Sequence, residues 1–544
     1  MIYRALFIAA LLAATLAAQI NLFPTRAYFH EQWTKPPLEV ELRPPIRLED
    51  YVASGKLELS LRSCIDLVMA NNTDVAIQRL TVVTAQDAIE RAFAPFDPSF
   101  LGSFSSSRAN TPSNDLLAGA SVLSSLAQQA SFAYTQTMEN GTQYSVGFLG
   151  TKNGNNSAFT SFNPNINTNL QVSVTQPLIR NRGAYINRIP IMIARSQYRA
   201  NDADLRTRII DLLSQAENAY WDVISARETL KVRRKSLELA EAFLKLNRRE
   251  LELGAISPLD IYQPEQQEAT AQLQVTQALY QLKQREDVLR KWIGADLHPE
   301  IRRLPLELTE TVLPPSESQV IDEQEELAEA LRVRPELDRS RYTTDAADLQ
   351  IQAATNQLRP DLRLGGNYIS QGHGGNFFQR SLLGATTASL LTPGGFTDAV
   401  DQLFGFGFPV YGFSLTLRLP LRNRQAAADL ADAAVNKKRE MLNLRNLEQQ
   451  IRLQVLNAIA GVEQSRASVK QAALARDFSQ KRLEAEQKKF ELGAREAFFV
   501  LQAQIDLATA ESDLLSQEIG YRRNLLALLQ ANGTLLEERG VVVQ

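Results

Sequence analysis

A chain of 544 residues, 44% hydrophobic and 22% charged, is long enough for two or three ordinary domains and too apolar for wholesale disorder. A formal net charge of −3 excludes the concentrated basic face of a nucleic-acid binder, so nucleic acid is not expected as a partner. One cysteine rules out an internal disulfide, and His30, His298 and His373 fall at no metal-ligand spacing, so neither a metal nor another cofactor is expected.

Residues 1–19 place Arg4 ahead of an apolar run from Ala5 to Ala18, with small residues before Gln19. This is the pattern of a secretory signal peptide, and the run falls short of the roughly 20 residues a transmembrane helix needs. Residues 20–56, with Pro24, Pro36, Pro37, Pro44 and Pro45, read as an extended N-terminal arm. Because no later stretch reaches the roughly 18 apolar residues of a spanning helix, any membrane crossing falls to strands.

A first unit spans residues 57–295. A helix over 57–94 is predicted from Leu61, Ile65, Val68, Asn72, Val75 and Leu80, and Pro95 and Pro98 stop it. Cys64 sits in that apolar stripe as a small buried hydrophobe. Residues 96–178 form a β region, in which Leu170, Val172 and Val174 alternate with Gln171, Ser173 and Thr175. Asn140-Gly141 signals a tight hairpin, so an additional strand pair is possible and strand number stays open. Gly, Ser and Asn runs at 105–130 and 150–168 read as loops.

A helical hairpin over 185–294 follows, with its tip near 254. Leu205, Ile209, Leu212, Ala216, Ala219, Val223, Ala226 and Leu230 step alternately by four and three, as a coiled-coil seam does. Tyr220, Ile224 and Leu239 form a second stripe beside it. Gly254 ends the first helix, and Ser257 or Asp260 can cap the return helix, whose stripe is Val275, Leu279, Leu282, Leu289 and Ile293. Pro264 is expected to kink that helix.

After a linker at 296–320, residues 321–535 repeat the pattern: a helix over 321–358, a β region over 360–420 and a helical hairpin over 425–532 with its tip near 493. Residues 536–544 form a tail. Leu253-Gly254-Ala255 returns as Leu492-Gly493-Ala494, Arg180-Asn181-Arg182 as Arg422-Asn423-Arg424, and Thr73-Asp74 as Pro335-Glu336, in the same order. Such ordered recurrence means duplication. Phe413, Leu415, Leu417 and Leu419 alternate with Ser414, Thr416 and Arg418, while 371–400 reads as a loop. Leu444, Ile451, Val455, Ala458, Val462, Val469, Leu483 and Phe490 mark the second long seam, with Leu453, Leu456 and Ile459 beside it.

Two stripes on each long helix require neighbours on two sides. Hairpins of that length cannot cover both within one chain, so several chains are expected to close a ring: an α-barrel from the hairpins and a β-barrel from the strands. No catalytic constellation is present, and an enzyme is not expected. Phe96, Phe100, Phe104, Phe406, Phe408, Tyr411 and Phe413 could supply an aromatic girdle or a core cluster. Arg180, Arg182, Arg422 and Arg424 read as solvent or headgroup contacts.

The duplication, the Gln176-Pro177-Leu178 exit into a long helix, and the Leu-Gly-Ala tips followed by Asp260-Ile261 and Val500-Leu501 resemble the TolC-type outer-membrane efflux proteins. The resemblance implies a homotrimer in outer-membrane lipid: a β-barrel continuous with a periplasmic α-barrel. This would be the passive exit channel of a tripartite efflux or secretion system, engaged by a periplasmic adaptor protein and an inner-membrane transporter. It implies adaptor contact at Leu253, Gly254, Ala255, Leu492, Gly493, Ala494 and Arg495. Asp260 matches an acidic tip position, and Phe499 and Gln502 stand where familiar members carry two aspartates, so these three are candidates for the pore constriction. Gln176, Pro177 and Leu178, with Pro420 and Leu421, mark the strand-to-helix junctions. An exported structural or adhesive coiled coil is the alternative, but it gives no reason for amphipathic strands within the duplication.

Overall fold

The computed structural model describes residue 30 and residues 44–113, 120–157, 160–254, 256–311, 321–380, 388–492, 494 and 497–543. The predicted signal segment lies outside the described residues. The chain divides at Ile46, and the unit from Arg47 to Gln544 carries every element named below. In chain order these are β1 (Val52–Ala53), β2 (Lys56–Leu59), α1 (Leu61–Asn71), α2 (Thr73–Phe93), β3 (Ser99–Pro112), β4 (Val122–Thr137), β5 (Gln143–Asn155), β6 (Asn165–Pro177), α3 (Ile189–Glu252), α4 (Tyr262–Trp292) and β7 (Leu306–Leu308). The second repeat adds α5 (Glu323–Val333), α6 (Pro335–Gln357), β8 (Asp361–Gly374), β9 (Phe377–Arg380), β10 (Ala388–Thr392), α7 (Phe396–Gly405), β11 (Phe408–Arg418), α8 (Arg424–Glu491), α9 (Ala497–Asn532) and α10 (Leu535–Glu538).

The opening helix of each repeat is two helices. Residues 57–59 are strand, and the predicted helix over 57–94 breaks at Asn72, whose backbone is extended. Its Oδ1 accepts from the Asp74 amide at 2.9 Å and the Val75 amide at 3.3 Å, while its Nδ2 donates to the Trp292 carbonyl at 3.2 Å. A polar residue at a stripe position is thus an N-cap. Repeat 2 breaks at Arg334, and Pro335 takes the first helical position of α6, where a missing N–H costs nothing.

The long helices α3 and α8 hold 64 and 68 residues. At a rise of about 1.5 Å per residue each extends roughly 100 Å. Ile209, Leu213, Tyr220 and Val223 of α3 are buried against Leu57, Leu59, Ile65, Leu289, Ile293, Leu306 and Leu526. Part of that wall is a three-stranded sheet, β1-β2-β7, in which β2 and β7 run parallel and pair Leu57 with Leu306 and Leu59 with Leu308. The stretch expected as a bare linker therefore supplies a core strand. On α4, Ala271, Ala278 and Leu289, with Ile293 at its C-cap, are buried while Leu279 is exposed, so small residues carry much of the contact expected of larger ones. On α8, Ile451, Val455, Ile459 and Val462 pack with Leu337, Tyr521 and Leu528, but Leu453 and Leu456 of the second stripe are uncovered.

Six strands form one antiparallel sheet in the order β11-β8-β6-β5-β4-β3. Phe100, Tyr134, Val146, Val172, Tyr368 and Tyr411 stand opposite one another as one rung across all six. The neighbouring rung on the other face is Ser99, Thr135, Ser145, Ser173, Asn367 and Gly412. One face is therefore apolar and the other polar. Phe100 stacks on Phe132 at 6.1 Å and Phe132 on Phe148 at 6.4 Å, while Ser103–Ser131 and Ser145–Ser173 hydroxyls bond at 2.7 Å on the polar side. Of the girdle candidates, Phe100, Phe104, Tyr411 and Phe413 share the apolar face; Phe408 alternates to the polar face, and Phe406 ends α7 in a left-handed conformation.

Residues 371–400 are not simply a loop. β8 continues to Gly374, β9 and β10 pair, and α7 lies on the apolar face of β6 and β8. There the Thr168 hydroxyl donates to the Ala399 carbonyl at 3.0 Å, and the Ser370 hydroxyl donates to the Leu403 carbonyl at 2.6 Å.

Candidate functional site: the strand-to-helix junctions and the helical tips

Asn181 and Asn423, the centres of the two Arg-Asn-Arg segments, both grip the end of α6. The Asn181 Oδ1 accepts from Asn356 Nδ2 at 2.7 Å, and Asn356 is 2% exposed. Asn423 accepts from the Ala426 amide at 3.3 Å, capping α8, and its Nδ2 donates to the Gln357 carbonyl at 3.3 Å. A short polar side chain suits both tasks, because it can cap and can also tolerate the φ of +59° found at Asn181.

Gln176 and Pro177 close β6, and the Leu178 amide continues the ladder to the Leu362 carbonyl at 2.8 Å. Gln176 also accepts from the Thr142 hydroxyl and donates to the Pro177 carbonyl at 3.0 Å. Arg180 is not a free surface cation: it meets Asp361 at 2.6 Å, whose other oxygen takes Arg363 at 2.9 Å. The turn between β4 and β5 abuts this junction, and a Cβ at Gly141 would come within 2.6 Å of the Asn181 carbonyl. The second junction is bare by contrast. Pro420 and Leu421 are exposed, Leu421 at 95%.

At the first tip Leu253 is 75% exposed and Gly254 turns the chain with φ +74°, its N–H donating to the Leu251 carbonyl at 3.0 Å. Asp260 and Ser257 do not cap α4. The Asp260 carboxylate accepts from the Ser257 amide at 3.1 Å and the Ser257 hydroxyl from the Leu259 amide at 3.3 Å, so the two brace the turn itself. Because α4 begins at Tyr262, Pro264 lies in its first turn, where an N–H has no helical partner to lose, and the expected kink has no cause.

At the second tip Leu492 is 83% exposed and the Ala494 amide returns to the Lys489 carbonyl at 2.9 Å. Ala255, Gly493 and Arg495 lie outside the described residues. Phe499 is half-buried with its ring edge-on to Phe498 at 5.6 Å, and Phe498 is 48% exposed. Leu483, Val500, Ala503 and Leu507 form a small core that fixes this helix end. Gln502 donates to Asp506 at 2.9 Å, and Asp506 meets Arg482 of α8 at 2.6 Å. The tip thus has a carboxylate one helical turn beyond Gln502, which the sequence reading missed; the four-residue spacing was the available signal.

Among known proteins, the family profile described as outer membrane efflux protein matches residues 64–295 and 327–534. The chain is similar in fold to the Campylobacter jejuni CmeC outer membrane channel, with a TM-score of 0.61 at 15% identity over 92% of this chain and 91% of that one. It is similar to the open state of the Neisseria gonorrhoeae MtrE outer membrane channel, with a TM-score of 0.57 at 17% identity over 91% and 98%. CusC, whose structures concern transmembrane channel formation, gives a TM-score of 0.62 at 15% identity over 90% and 98%. No curated protein shows a significant match.

Proposed function

The chain belongs to the outer membrane efflux protein family, and from that premise we propose that three copies assemble into one continuous exit conduit. Its site of action is the outer membrane, with the helices extending into the periplasm, and it serves as the exit channel of a tripartite efflux system. In the proposed trimer the apolar sheet face meets lipid and the Ser- and Asn-rich face lines water. A periplasmic adaptor docks on the tips around Leu253, Gly254, Leu492 and Ala494, together with Ala255, Gly493 and Arg495. An inner-membrane transporter supplies the energy. The closed tube narrows at Asp260 of the first tip and at Phe499 and Gln502 of the second.

The observation that carries this reading is a sheet with one apolar face and two bare edges, joined through β6 and β11 to two long helices, of which α8 still shows an uncovered apolar stripe. An adhesive coiled coil has no use for such a sheet. Gel mobility of unboiled outer-membrane fractions, with crosslinking, tests the assembly. A heat-resistant trimer is expected, and a monomer confined to the soluble periplasm would overturn the proposal.

A further inference from the structure

The sheet has more strands than the duplication requires. Repeat 2 gives it two, β8 and β11, whereas repeat 1 gives it four, because the hairpin β3–β4 precedes the pair β5–β6. We propose that this extra hairpin is part of the barrel wall, so that β3 of one copy pairs with β11 of the next and three sheets of six strands close an 18-strand barrel. This rests on the trimeric channel reading above.

Direction, length and face all fit. Adjacent strands in the sheet alternate in direction, so β3 leads away from the helices and β11 returns to them, which makes their pairing antiparallel, as barrel closure requires. β3 has 14 residues and β4 has 16, enough to cross at the 9–11 residues that a tilted strand needs, so the hairpin is not a short flap. The apolar face runs unbroken onto it through the stacked Phe100, Phe132 and Phe148 rings. The polar face continues through Ser99–Thr135 and Ser103–Ser131 hydroxyl contacts at 2.7 Å. Both edge strands are exposed along their whole length, and a long bare edge in a sheet of this kind must be paired.

Barrel diameter grows nearly in proportion to strand number, so the outlet would be about 1.5 times as wide as one closed by four strands per copy. The tips are untouched by this. The widened part is the membrane outlet, lined by Ser, Thr and Asn, and it suits bulky hydrated cargo once the gate has opened.

Disulfide trapping tests the pairing in the full-length chain in its membrane. Ser103→Cys or Ser105→Cys on β3 is combined with Ser414→Cys or Thr416→Cys on β11, all on the polar face; native Cys64 is 1% exposed and can stay. Within one sheet β3 and β11 are five strand spacings apart, roughly 24 Å, far beyond disulfide reach, so any bond must join two copies. The expected result is oxidised dimers and trimers from at least one β3–β11 pair. The same β11 cysteines combined with Ser145→Cys or Thr151→Cys on β5 report the alternative, a four-strand contribution with the hairpin lying off the wall. Bonds from β5, or a membrane trimer with bonds from neither strand, overturn the proposal. Loss of the unboiled trimer in the wild type would instead sink the channel reading on which it rests.

Discussion

Cys64 and Glu217 share one buried layer, and their environments determine what each can do. Cys64 is 1% exposed, and burial, with the Glu217 charge as the second cause, pushes its thiol up to about 12. A thiol so raised stays protonated and unreactive. Maleimide labelling at pH 8 is therefore expected to leave the native chain unmodified and to label it fully after denaturation; rapid labelling of the native protein would contradict this placement. Glu217 itself is held by two Arg539 N–H groups at 2.7 and 3.0 Å, so its charge is paired. Glu326 behaves differently. Burial, the leading cause, raises its pKa against the opposing hydrogen bond from Asn532. A carboxyl whose folded pKa lies above its unfolded one contributes most at low pH and loses that contribution as pH rises through the folded value. Glu326→Gln should then raise the melting temperature at pH 8 with no gain at pH 4, a comparison that thermal unfolding at the two pH values settles. An equal change at both would show that the charge is not the cause.

Secondary structure was legible in the sequence where a local rule held and illegible where a boundary decided the outcome. Period-two alternation marks strands, and Asn140-Gly141 marks the tight turn from β4 to β5 that implies an added strand pair, because both signals are local. The strand count stayed open because β3 loses its alternation beyond Phe104, in the run Ser105-Ser106-Ser107. A kink at Pro264 follows only if α4 starts near Ser257, and the turn before Tyr262 removes that premise. Asn72 falls at a stripe position in the sequence because spacing alone does not separate a cap from a core position. Helix α7 was hidden by the glycines that seat it. A Cβ at Gly372 would fall 1.8 Å from the Ala399 carbonyl oxygen and 2.6 Å from the Thr168 hydroxyl, a clash that only helix displacement relieves. Gly372→Val is therefore expected to break the Thr168–Ala399 and Ser370–Leu403 hydrogen bonds. At about 1 kcal/mol each, this gives a roughly 30-fold rise in the detached population. Protease cleavage within 396–405 on intact cells would measure it, with the trimer retained; unchanged cleavage would mean that α7 is not seated through Gly372.

Uncovered surface connects these elements to an assembly. The second stripe of α3 is covered within the chain, Tyr220 at 0% and Ile224 at 5% exposure, because β2 and β7 and their neighbours build a wall against it. The equivalent side of α8 has no such wall: Leu453 is 60% exposed, with Val435 and Leu442 likewise open. A different helix, α2, leaves Ile77, Leu80 and Val83 open. Two unlike apolar surfaces on one chain are what head-to-tail contacts around a closed ring require, whereas a two-fold dimer would use one surface twice. Each fully buried leucine is worth about 1.5–3 kcal/mol, and in a ring every substitution acts at all the interfaces together. Leu442→Glu combined with Leu453→Glu should therefore leave the helical content of the chain intact while abolishing its heat-resistant oligomer. Lys470→Glu, at an exposed polar position of the same helix, should leave both unchanged. Circular dichroism and unboiled gel mobility separate the outcomes: an oligomer as heat-resistant as wild type in the double mutant would show that the open side of α8 is not where copies meet, whereas loss of helix as well would place those leucines inside the fold of a single chain.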